Sequence, residues 1–248
     1  MGDPPVKLPF LQSQDPALLW VERHRIQAGA HLRALSGLPT EDQLAQALAA
    51  LPAGPTRWVV DDLWVPSVIL RDLPELPRGA EAQEAFFRWR FNQTLALEEP
   101  HAVQSIPLEA GAWLASGIRE DLREAWIQAS LRLERGMRAL TPRWLHLYNQ
   151  LAPGLDLPGM LLSLSPAGGD RYAGTLVAWG RTLCLVRQWA EPLSPEGWNA
   201  ERVAPSAAFL QREARTPQQM LVWGARTWPE SAVPARCLDD RLPGGEVR

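Results

Sequence analysis

Regular alternation of apolar and polar residues begins at Ala17. ALLWV over 17–21 is followed by the polar Glu22-Arg23-His24-Arg25, then by Ile26, Ala28, Ala30, Leu32 and Ala34 at every second place. A period of two on either side of a polar turn predicts a β-hairpin over 17–35. Thr40, with Gln43 three residues on, makes a capping box, and Leu44, Ala47, Leu48 and Leu51 at helical spacing predict a short helix over 41–51. TRWVVDDLWVPSVILRDL over 56–73, broken by Asp61-Asp62 and by Pro66, predicts two strands or one bent pair. A helix over 80–97 and a strand pair near 102–106 and 112–118 follow. The next helix, over 119–135, carries Leu122, Trp126, Ala129 and Leu133 on one stripe, and Gly136 reads as its stop.

Pro142 heads a further short helix, RWLHLYNQLA, and the breakers Pro153, Gly154, Pro158 and Gly159 then mark the best domain boundary. Residues 160–164, 172–179 and 182–189, separated by Gly168-Gly169-Asp170 and Gly180-Arg181, predict a β-meander. Residues 195–215 read as helical but interrupted at Pro205, and 220–224 as a short buried strand. The organisation expected is an extended arm over 1–16, a first unit over 17–152, a second over 153–226 and an irregular tail over 227–248. The fold class is mixed α/β.

Composition narrows the function classes. At 248 residues the chain can bury a sizeable core, and its two cysteines, Cys184 and Cys237, suit a reducing compartment. A net charge of −3 with Lys7 as the single lysine gives no basic footprint for nucleic acid. The N-terminus lacks a basic segment followed by an apolar run, and no stretch approaches the roughly 18 apolar residues of a membrane span. The expectation is a cytoplasmic chain that reaches a membrane only through partners. Twelve tryptophans predict a core built largely of indoles, with a few left as interface anchors.

Candidate chemistry is sparse. Asp61 and Asp62 are adjacent, and neighbours on a strand face opposite sides, so a turn or strand end is the better reading than a paired-carboxylate site. His24, His31, His101 and His146 are scattered without metal-ligand spacing. Cys184 sits in the apolar strand TLCLV and reads as a buried hydrophobe. Ser116-Gly117 and Ser163 lack the Gly-x-Ser-x-Gly context of an acyl-transfer nucleophile. Ser165-Pro166-Ala167-Gly168-Gly169-Asp170 has glycines but no lysine and leads into a strand, which favours a hairpin turn over a phosphate cradle. No catalytic, cofactor-binding or metal-ligating residue is assigned, and no cofactor is expected.

The order of elements resembles the actin-like (ribonuclease H-like) family of the type IV pilus assembly protein PilM and the cytoplasmic domain of the type II secretion protein GspL. The resemblance is carried by ILRDLPELP ahead of the helix at 80, by LASGIREDLREAWIQASLRLERGMRALTPRWLHLYNQLA, and by LLSLSPAGGDRYAGTLVAWGRTLCLVRQW, with Gly180, Leu183 and Arg187 in the family's recurring places. It covers residues 17–225 and implies two actin-like subdomains. An ATP-binding member opens its first strand with an Asp-x-Gly phosphate loop; here Trp20 to Glu22 and Ser163 to Asp170 fill the two loop positions with other residues. The resemblance therefore implies a bacterial, non-catalytic scaffold of a pilus or secretion platform. Its partner would be the cytoplasmic segment of a bitopic inner-membrane protein, or the assembly ATPase. An active actin-like ATPase and a generic α/β interaction domain unrelated to pili stay open as alternatives.

Overall fold

The computed structural model describes residues 16–213, 215–225 and 233–238; the arm expected over 1–16 lies, apart from Pro16, outside them. The chain starts with a meander, β1 (Ala17–Glu22), β2 (Arg25–Ala28) and β3 (His31–Ala34), followed by α1 (Glu41–Ala49) and β4 (Thr56–Val60). An inserted block comes next: β5 (Ser67–Leu70), α2 (Ala80–Leu95), β6 (His101–Pro107) and β7 (Trp113–Arg119). Then α3 (Glu120–Arg132), β8 (Met137–Pro142) and α4 (Arg143–Leu151) complete the first half. The second half is β9 (Gly159–Pro166), β10 (Tyr172–Trp179), β11 (Leu183–Leu193), α5 (Ala200–Arg212), β12 (Gln219–Trp223) and β13 (Ala235–Leu238).

Two five-stranded sheets have one topology. The first runs β3-β2-β1-β4-β8 and the second β11-β10-β9-β12-β13. In each, three antiparallel strands are followed by two that run parallel to the first. The same order recurs in both halves, with the antiparallel sheet β5-β7-β6 inserted into the first. The fold is mixed α/β, as expected.

The apolar runs follow from double-sided burial, because a strand covered on both faces has no polar positions to alternate. Leu19, Val21, Trp58 and Val60 face α1 and α3, where Leu44, Leu48, Trp126 and Ala129 close one core. Trp20 and Val59, one residue out of phase, face α4. The second sheet repeats this: Met160, Leu162, Met220 and Val222 face α5, while Leu161, Leu221 and Trp223 face α4. Helix α4 is thus packed between the sheets, and its Trp144, Leu145, Leu147 and Tyr148 belong to the core that both halves share. Eight of the eleven tryptophans among the described residues are buried, which makes the indoles core elements first.

Several expectations need correction. The hairpin over 17–35 is a three-stranded meander, because Gly29 at φ +58° turns the chain back inside the supposed second strand. The pair over 56–73 divides between two sheets. Helix α3 ends at Arg132 with Leu133 as its cap; Glu134 at φ +53° then turns the chain, and Arg135 donates its N–H to the Ser130 carbonyl, so Gly136 is not the cap. Helix α5 runs unbroken through Pro205, which sits at an exposed position. Within the stretch read as an irregular tail, residues 235–238 form β13.

Gly174 of β10 tests the packing of the second half. A Cβ there would lie 2.1 Å from the Trp198 ring, and that ring is fixed by an Nε1–H donated to the Tyr172 carbonyl at 2.9 Å and by edge-on packing against Trp189. Gly174→Ala is expected to cost about 1–3 kcal/mol in urea unfolding. An unchanged midpoint would contradict this packing.

Candidate functional site

β1, β4 and β8 run parallel, so their carboxyl ends gather on one side of the first sheet, the usual place for a ligand in a sheet of this kind. Glu22 ends β1, Asp61 and Asp62 follow β4, and Arg143 follows β8. Facing them across the interface are Ser163 and Ser165 of β9 and Thr175 of β10.

Arg143 is 2 % exposed and donates from Nη1 to Glu22 Oε1 at 3.1 Å, while Arg25 bonds the other oxygen of the same carboxylate. Burial would raise the Glu22 pKa, but the charges of Arg143 and Arg25 outweigh it and hold the carboxyl below its usual value. Burial would lower the Arg143 pKa; Glu22 and Asp62 instead raise it. Asp62 Oδ1 accepts the Trp144 N–H at 2.9 Å. Burial dominates there, opposed by Arg143 and that N–H, and the Asp62 pKa is pushed up to about 6.

Asp61 ties the two halves. Its Oδ2 accepts from Ser165 Oγ at 3.0 Å, and its Oδ1 accepts the Leu63 N–H at 3.0 Å. Gln188 of β11 adds a second tie, donating to the Asp62 carbonyl at 2.9 Å and accepting the Ser67 N–H at 2.8 Å. Arg71 adds a third by bonding the Cys184 carbonyl and pairing with Glu213 at 3.4 Å. The two aspartates therefore join one buried cluster despite being adjacent. They lie beyond the end of β4, where the chain turns and the two-residue alternation no longer applies.

The other candidates stay apart from this cluster. Residues 167–171 close a β-hairpin through Ala167 N–H to the Arg171 carbonyl at 2.8 Å, with Gly168 at φ +102° and Gly169 at φ +56°. Trp20 packs edge-on against His146 at 5.1 Å, and burial, with the charge of Arg57, lowers the His146 pKa to about 4. Cys184 Sγ donates to the Ala178 carbonyl at 3.4 Å from a buried position. Among the described residues no group of three or more His, Cys, Asp or Glu could hold a metal ion. No helix is long and apolar enough to cross a membrane.

A second feature is open. A groove of about 570 Å³ runs between the edge strand β8 and the exposed face of the β5-β7-β6 sheet, with the start of α3 at one end. Ile106, Leu114 and Ile118 form apolar floor, Gln104 and Ser116 lie among them, and Leu145 of α4 closes the back. Sequence reasoning found neither this groove nor Arg143. The one available signal for Arg143 was a lone charge at the head of the apolar run WLHLY.

Two copies of one α/β topology are joined through a filled polar interface. No protein-family model matches the chain, and no curated protein does. Among solved structures it is similar to the cytoplasmic domain of EpsL, an inner membrane component of the type II secretion system of Vibrio cholerae. That likeness has a TM-score of 0.48 and 10% identity, covering 91% of this chain and 89% of that one.

The buried pair gives a double-mutant test. Arg143→Met leaves the buried Glu22 carboxylate with Arg25 as its remaining ion-pair partner and is expected to cost about 3 kcal/mol, whereas adding Glu22→Leu should recover most of the loss in urea unfolding. If the double variant is as unstable as the single, the pair is not the source of the cost.

Asp62 gives a pH test. Its folded-state value lies above the model-peptide range, so the folded chain keeps a proton that the unfolded chain releases between about pH 4 and 6, and this contribution is lost as pH rises through that window. Asp62→Asn removes the loss while leaving Glu22 and His146 common to both proteins. Its stability relative to wild type should rise by up to about 3 kcal/mol from pH 4 to pH 7. A difference independent of pH would contradict the assignment.

Proposed function

We propose that this chain is a non-catalytic, actin-like scaffold of an inner-membrane assembly platform of the type II secretion or type IV pilus kind, recruited through a protein partner. The observation that carries the reading is the Glu22–Arg143 pair with Asp61, Asp62 and Ser165. These side chains fill the strand ends where an actin-like fold opens onto phosphate, with Glu22 paired to Arg143 and Asp61 to Ser165, while Asp62 Oδ2 and Arg143 Nε and Nη2 stay buried without a hydrogen-bond partner. A phosphate entering that space would have to displace Glu22 from Arg143 and would meet three carboxylates. The sequence resemblance over residues 17–225 supports the platform assignment, and the open groove beside β8 gives a partner a surface that the filled interface does not.

The enzyme alternative is separated by a thermal-shift measurement with Mg-ATP. A nucleotide at a hundred times its Kd would add about 2.7 kcal/mol to the folded state and raise the melting temperature by several degrees. The scaffold reading expects no shift. It also expects the tagged chain to co-purify from membranes with a bitopic inner-membrane protein; a reproducible Mg-ATP stabilisation would overturn it.

A further inference from the structure

We infer that the joint between the halves binds an ordered water, buried between Asp62 and Arg143 of the first half and Ser163 of the second. Four polar atoms there have no hydrogen-bond partner among the described residues: Asp62 Oδ2, Arg143 Nε and Nη2, and Ser163 Oγ. Asp62 is 4 % exposed, Arg143 2 % and Ser163 1 %. Burying a polar group without a partner is costly, and more so for a charge. A resident polar molecule removes that cost at all four atoms.

The backbone brings these groups together. Asp62 Oδ1 accepts the Trp144 N–H at 2.9 Å, the amide that directly follows Arg143, so the carboxyl lies against the root of the arginine side chain. Ser163 of β9 is the register partner of Thr175 on β10, and paired residues share a face of the sheet. Thr175 lies beside Asp62 and helps to hold its charge. Ser165, two residues along β9 from Ser163 and therefore on the same face, donates to Asp61 at 3.0 Å. Both serines thus face the carboxylates that follow β4.

The donor and acceptor set selects water. Arg143 uses Nη1 on Glu22 and has N–H donors left at Nε and Nη2, while Asp62 Oδ2 and Ser163 Oγ are left to accept. A water has two lone pairs for the donors and two O–H groups for the acceptors, the setting in which buried water is held. An anion suited to Arg143 would sit beside Glu22, Asp61 and Asp62, and a cation suited to Asp62 would meet Arg143. A neutral molecule that both donates and accepts meets neither charge, and it can turn round when Asp62 takes up a proton. It then ties Asp62 and the head of α4 to β9, a link between the halves that no direct side-chain bond makes. This goes beyond the scaffold reading and holds with or without a partner.

The test is a crystal structure of the full wild-type chain at a resolution that shows ordered water, with parallel crystals soaked in bromide and in rubidium salts. The expected result is a well-ordered peak about 2.6–3.2 Å from Asp62 Oδ2, Ser163 Oγ and an Arg143 nitrogen, with no anomalous signal from either ion. In solution, oxygen-17 relaxation dispersion should count one long-lived water fewer in Ser163→Val than in wild type, since the variant removes one partner and puts methyl groups in its place. Circular dichroism checks that the variant is folded, and the wild-type crystals decide the matter if it is not. A direct Asp62–Arg143 contact with no peak between them, a bromide or rubidium peak at the site, or an unchanged count in folded Ser163→Val would each overturn the inference. None of these results touches the scaffold reading, which Mg-ATP and partner capture test separately.

Discussion

A guanidinium taken out of water must be answered by a carboxylate, and Arg143 is answered from the far side of the first sheet by Glu22, 121 residues earlier in the chain. That constraint fixes where β8 ends relative to β1 and the angle at which α4 leaves the sheet. It also draws Asp62 to a backbone N–H in the first turn of that helix, at Trp144. The cluster is buried because α4 is buried. Its indole and aliphatic side chains fill the space between two sheets of one topology, so the polar and apolar parts of the interface hold each other in place.

The consequence is mechanical. In a duplicated fold of this kind the two halves could close on a ligand held between them, and opening would need both halves to part along that line. Here the line is crossed by Asp61–Ser165, by Gln188 to the chain beside Asp62, and by Arg71 to Cys184, on top of the shared apolar core. Separation would expose Trp144, Trp179 and Trp223 together and leave several charges without partners. The open groove thus lies not between the halves but at the side of the first, where the inserted sheet stands off from β8.

Local signals in the sequence carried much of the fold. The Thr40–Gln43 capping box is present with both bonds, and the meander over β9 to β11 pairs in the expected antiparallel order. What was missed depends on distance along the chain. β8 is a short run containing Arg138 and ending in proline, and nothing local marks it as a strand; β4 makes it one. The Asp61–Asp62 pair was legible as a strand end, but its membership of a buried cluster rests on residues about 80 and 104 positions away. Periodicity reports which face of an element is apolar. It carries no information on which distant charge will meet a buried arginine, and so the filled interface could be located from the resemblance but not built.

Native-state hydrogen exchange at the Ser67 amide tests the sealed interface most directly, because that N–H of the first half is held by Gln188 of the second. If the halves are locked, the amide should exchange only through global unfolding, with a free energy equal to that from urea denaturation and the same denaturant dependence. Exchange through a smaller opening, well below the global value and insensitive to low denaturant, would mean that the interface parts in the native state, and the account of a sealed interface would be wrong.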